Sequence, residues 1–66
     1  MQISKKIRKI RELKGFSQEY MASQLKMTQT NYSKIERGES KEITLTRLED
    51  IAKLLEVSIN DLLNFD

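Results

Sequence analysis

Apolar residues recur along the chain at spacings of three and four and never in sustained alternation, which predicts short amphipathic helices and no strand. Ile3, Ile7, Ile10 and Leu13 line one face of a first helix over about Ser4 to Lys14, with Gly15 as its stop. Ser17 is a good N-cap for a second helix through Leu25, whose inner stripe is Met21, Ala22 and Leu25. Thr28 caps a third helix running to about Arg37. It buries Tyr32 and Ile35 at i, i+3 spacing, and Gly38 is placed to take the left-handed conformation past its end. Glu39 to Ile43 read as a loop. Thr44 caps a fourth helix with the strongest stripe in the chain: Leu45, Leu48, Ile51, Ala52 and Leu55. Ser58, with Asp61 three residues on, caps a short fifth in which Ile59, Leu62 and Leu63 face inward. The expected fold is all-α, a compact five-helix bundle. Residues 1–66 show no internal repeat, low-complexity stretch or linker, so they read as a single domain.

Composition narrows the function. The chain has 66 residues, two Gly, and no Pro, Cys, His or Trp, which makes it one small domain or a fragment of something longer. A domain of this size buries only about 60% of its unfolded surface. It has one thin core and no room for a substrate cavity of roughly 300–1,000 Å³. Without Cys or His it has no thiol nucleophile, no imidazole base and no zinc site of the usual kinds. Glu49 and Asp50 are adjacent on a helix and point in different directions, so they make no acid/base pair. The chain therefore reads as a binding module and not an enzyme, with no metal, cofactor or small-molecule ligand expected. Absence of Cys is compatible with a reducing cytoplasm, the expected location. Apolar runs of only two or three residues exclude a membrane span and a signal-peptide core.

Charge is unevenly distributed. Residues 1–38 carry nine Lys/Arg against three Glu, a balance of +6, whereas residues 39–66 carry three bases against seven acids, a balance of −4. Such a split suggests a polyanion-facing half and a second half with another job, although a solvated basic helix face gives the same count.

The joint between the second and third helices is short, since only Lys26 and Met27 separate Leu25 from the Thr28 cap. A link of that length forces a steep crossing. It fits a helix-turn-helix whose second member stands clear to enter a DNA major groove, and it also fits an ordinary helical hairpin. Ala22 is small enough to let the third helix approach, while Met27 and Tyr32 fill the space beneath the turn.

Several pieces of sequence, in order, carry a resemblance. They are Ile10-Arg11, Gly15-Phe16-Ser17-Gln18-Glu19, Met21-Ala22, Met27-Thr28-Gln29, Ser33-Lys34-Ile35-Glu36-Arg37-Gly38, then Leu48, Ile51-Ala52, Leu55, Val57-Ser58 and Asp61-Leu62-Leu63. Over nearly its whole length the chain resembles the Cro/repressor-type (Xre-like) helix-turn-helix DNA-binding domains of phage and bacterial regulators. The resemblance implies a five-helix bundle that binds double-stranded DNA sequence-specifically, usually as a homodimer on a palindromic operator. Three positions depart from the family pattern. Lys26 stands where Gly is common in the turn, so it is expected at positive φ at a cost of about 1–2 kcal/mol. Ile43 stands where Pro often precedes the fourth helix, and Glu56 where Gly often ends it.

On this reading the helix over about residues 28–37 enters the major groove. Gln29 and Thr30 lie nearest the base edges and Lys34 faces outward one turn on. Gln pairs bidentately with adenine, Lys favours guanine O6 and N7, and Thr can place its methyl against thymine. Asn31 and Ser33 reach a base or a phosphate according to the helix tilt. Phosphate contacts are expected from Gln18, at the first turn of the second helix where free N–H groups favour an anion, and from Lys14, Lys26, Arg37 and Lys41. Lys5, Lys6, Arg8 and Lys9 contribute a long-range field or direct bonds.

The resemblance further implies that Arg11 and Glu36 form a partly buried ion pair joining the first helix to the third. The acidic half then faces away from DNA. Ile59, Leu63 and Phe65 are expected to supply a dimer contact, unless a further segment does so. The alternative function is a protein-interaction module, such as an antitoxin-like helical domain with weak DNA binding, whose working surface is the acidic fourth and fifth helices.

Overall fold

The computed structural model describes residues 3–40 and 43–64, which form five helices and no strand. They are α1 (Ile3–Lys14), α2 (Gln18–Gln24), α3 (Gln29–Glu36), α4 (Leu45–Leu55) and α5 (Ile59–Leu63). Helix α1 is the hub: it packs against α3, α4 and α5, while α2 lies on α3 and α4 on α5.

Local chemistry sets the boundaries. Ser17, Thr28, Thr44 and Ser58 adopt extended backbone, and each side-chain hydroxyl accepts the N–H three residues on, from Tyr20, Asn31, Arg47 and Asp61. Ser58 and Asp61 complete a reciprocal box, the Ser58 N–H donating to Asp61 Oδ2 at 3.2 Å. The first four helices end alike, on a left-handed residue: Gly15, Lys26, Gly38 and Glu56, at φ of 77°, 59°, 74° and 61°. Each donates its N–H three residues back, and the residue after it donates five residues back, as Met27 does to the Ala22 carbonyl at 3.0 Å. Phe16, Met27 and Val57, which follow three of these stops, pack their side chains against the core. The expected positive φ at Lys26 is thus present, and Glu56 ends α4 without glycine.

Ile7, Met21, Tyr32, Ile51, Leu55 and Leu62 are completely buried, joined by Ala22, Leu25, Ile35 and Ala52. Burial of each large side chain stabilises the fold by about 1.5–3 kcal/mol. Three residues expected inside are not. Leu13 is 78% exposed because α1 turns Ile7 and Arg11, one turn apart, to the core. Leu13, two residues beyond Arg11, is therefore rotated about 200° from it. Leu45 is 63% exposed: it opens α4 ahead of the buried run Ile51, Ala52 and Leu55, and the stripe outlasts its cover. Leu63 closes the five-residue α5, which buries Leu62 alone and leaves Leu63 exposed and Ile59 half-buried.

Candidate nucleic-acid interface

The third helix is held from beneath by one carboxylate. Glu36, at the end of α3 and almost fully buried, accepts from three side chains. Arg11 of α1 bonds it twice, Nε to Oε2 at 2.6 Å and Nη2 to Oε1 at 3.1 Å. Gln18 of α2 donates Nε2 to Oε1 at 3.0 Å, and the Tyr32 hydroxyl donates to Oε2. The remaining guanidinium nitrogen of Arg11 donates to the Phe16 carbonyl at 2.7 Å, fixing the link between α1 and α2. No buried side-chain nitrogen or oxygen among the described residues lacks a partner.

The energetics of the cluster follow from its closure. Burial acts to raise the Glu36 pKa, but the hydrogen bonds from Arg11, Tyr32 and Gln18 outweigh it, so the carboxyl titrates below its ordinary value. The hydrogen bond to Glu36 raises the Arg11 pKa, against the opposing effect of burial. Burial first, and then the bond to Glu36, pushes the Tyr32 hydroxyl well above its ordinary value. Tyr32 is therefore a neutral donor, Glu36 an anion and Arg11 a cation throughout the physiological range. The Arg11–Glu36 pair implied by the family resemblance is present, with Tyr32 and Gln18 as further members. Reading Tyr32 as core filler misses its hydroxyl; its position four residues before Glu36 on one helix face is the signal for that bond.

With α3 held in this way, its outer surface divides in two. Gln29, Thr30, Ser33 and Arg37 line a shallow depression together with Gln18 from α2. Asn31 and Lys34 line a second one, with Met27, Ser40, Thr44 and Arg47. All five expected base-reading residues thus lie on these two flanks of α3, and Gln18 lines the first depression beside three of them. One amide N–H of Gln18 is committed to Glu36, leaving its Oε1 and second N–H for the depression. Arg37 bonds Ser33 Oγ through Nη1 and Glu39 Oε1 through Nη2, the latter at 3.1 Å.

The other expected phosphate contacts are scattered. Lys26 is exposed at the left-handed stop of α2, in a groove with Gln24, Asp50 and Lys53. Lys14 lies at the end of α1 with Nζ 3.9 Å from Glu56 Oε1, apart from both depressions. Lys41 falls outside the described residues, as does Phe65 of the expected dimer contact. One residue that the sequence does not single out is Arg47, which donates Nη1 to the Leu25 carbonyl at 3.1 Å. Among the described residues no group of three or more acidic side chains is placed to hold a metal ion, and no helix is long and apolar enough to cross a membrane.

Comparison with known proteins agrees with this geometry. Among curated proteins none matches the chain. Among solved structures, the crystal structure of SinR, the master regulator for biofilm formation, in complex with DNA is similar at 29% identity. Its TM-score is 0.83, and the match covers 94% of this chain and 98% of that one. A helix-turn-helix family model matches residues 7–62, from the first buried residue of α1 to the last of α5. With α2 and α3 joined by a tight left-handed turn and held together through Glu36, the chain belongs to the helix-turn-helix family, in its Cro/repressor (Xre-like) branch.

Proposed function

We propose that this protein is a DNA-binding transcription regulator that inserts α3 into the major groove and reads base edges with Gln29, Thr30, Asn31, Ser33 and Lys34. The observation that carries this reading is the gathering of Gln18, Gln29, Thr30, Ser33 and Arg37 around one depression on an exposed helix face. Polar side chains able to donate and accept, on a rigidly held helix whose diameter with side chains is about 10–12 Å, suit a groove about 12 Å wide. The structural similarity to SinR, solved in complex with DNA, supports the same reading.

Gln18, Lys26, Arg37, Lys14 and Lys41 are the proposed phosphate contacts, which set register without reading sequence. Gln18 is best placed, because its free amide N–H lies beside α3. Arg37 must exchange Glu39 for phosphate. The protein acts as a homodimer on a palindromic operator, because two copies double the bases read and fix half-sites about 34–36 Å apart. It acts in the cytoplasm, in the repressor sense, and binds without catalysing a reaction.

The test is selection of bound duplexes from a random-sequence library at near-physiological salt. An enriched inverted repeat is expected. A single enriched half-site would keep the reader and remove the dimer. No enrichment would overturn the reading in favour of a protein-interaction module acting through its acidic half.

A further inference from the structure

Arg47 occupies the first turn of α4, where its own N–H donates to Thr44 Oγ1 at 3.1 Å. Its half-buried side chain leaves α4 and reaches the helix-turn-helix unit, where Nη1 donates to the carbonyl of Leu25, the C-cap of α2. A helix end leaves carbonyls without intrahelical partners, and a cation there also meets the negative end of the helix dipole. Helix α4 packs chiefly on α1 and α5, and α3 on α1 and α2. Among the described residues, the Arg47–Leu25 bond is the one side-chain hydrogen bond that joins α4 to the α2–α3 unit.

Its location matters because Leu25 begins the turn that aims α3. Lys26 follows in the left-handed conformation, and Gln29 opens α3 three residues after Lys26. We propose that Arg47 is a positioning residue for DNA recognition: a strut from α4 that fixes the α2–α3 turn and so the pitch of α3 in the groove. The inference rests on the DNA-reading function proposed above and adds a residue to it. Base-edge hydrogen bonds need their donors held within about 0.5 Å. Phosphate contacts from long flexible side chains tolerate more, so loss of the strut weakens discrimination before it weakens attraction to DNA.

The experiment uses the full chain and two duplexes of equal length, one carrying the selected site and one unrelated. Arg47→Met keeps the apolar stem and removes the guanidinium; Arg47→Lys keeps a donor. For Arg47→Met the affinity for the selected site is expected to fall about tenfold and that for the unrelated duplex less than about twofold, with an unchanged salt slope. Arg47→Lys is expected to restore most of the ratio. In the free protein, amide exchange in Arg47→Met should quicken at Lys26 and Met27 and stay unchanged in α5.

Equal loss on both duplexes, with the salt slope reduced by about one, would make Arg47 a phosphate contact and overturn the proposal. An unchanged ratio, or exchange quickened throughout the chain, would overturn it as well. If the unsubstituted chain itself fails to distinguish the two duplexes, it is the underlying DNA-reading function that falls.

Discussion

Arg11 and Glu36 meet through two hydrogen bonds across 25 residues of chain, at 2.6 and 3.1 Å, and this contact joins the first helix to the end of the third. Both residues are buried, so neither charge has water to fall back on. Removal of one partner leaves the other desolvated and unpaired, which is the expensive way to break such a pair. Arg11→Ala is therefore expected to lower unfolding free energy by about 3–5 kcal/mol in urea titration. A change within about 0.5 kcal/mol, the usual range for a surface substitution, would show the pair to be unimportant.

The same cluster makes stability depend on acid. Burial works to raise the Glu36 pKa, and the bonds from Arg11, Tyr32 and Gln18 reverse that and hold it below the ordinary value. Between the folded-state and unfolded-state values the unfolded chain binds the extra proton, so stability rises with pH there. The contribution is complete above the unfolded-state value of about 4.3 and is lost as pH falls through the lower folded-state value. Glu36→Gln should lower stability at pH 7 and flatten this part of the acid profile. Thermal melts of both proteins from pH 7 down to pH 2 read the difference, and parallel profiles would contradict it.

Lys26 and Glu56 sit at positive φ with side chains that disfavour it, at a cost of about 1–2 kcal/mol each. Glycine removes that cost while making the unfolded chain more flexible, so Lys26→Gly and Glu56→Gly should each gain up to about 1 kcal/mol in chemical denaturation. Their effects on DNA differ. Lys26→Gly should weaken binding to all duplexes and reduce the salt slope by about one, whereas Glu56→Gly removes no cation and frees Lys14, so it should not weaken binding. Retained binding in Lys26→Gly would remove Lys26 from the phosphate contacts.

On the proposed reading flank of α3, Gln29→Ala should cost about 1–3 kcal/mol of affinity for the selected site and relax preference at one base position. Lys34→Ala should do the same at another position, since Lys34 lies on the second flank. Repeating the duplex selection with each variant checks both. A uniform loss with no position relaxed would make them phosphate contacts instead.

Much of the architecture was legible in the sequence because it is written in local chemistry. Hydroxyl caps at Ser17, Thr28, Thr44 and Ser58 mark helix starts through bonds that span three residues. Gly15 and Gly38 mark stops through the backbone alone. The sequence puts Gln29, Thr30 and Lys34 outward once the family resemblance identifies the third helix as the reader, and leaves Asn31 and Ser33 to the helix tilt. Leu13, Leu45 and Leu63 were misplaced because periodicity defines a face without saying which neighbour covers it, or for how many turns.

What the sequence determined by itself, then, is the number and order of the helices, their caps and stops, and the polar character of the third helix, all products of contacts within about five residues. The tertiary structure alone decided the rest. Gln18 joins Arg11 on the Glu36 carboxylate from a different helix, and Arg47 reaches back 22 residues to the end of α2. The physical reason is that a hydrogen bond between distant segments depends on how helices pack across the core, and apart from the short α2–α3 joint no local pattern in the chain specifies that packing.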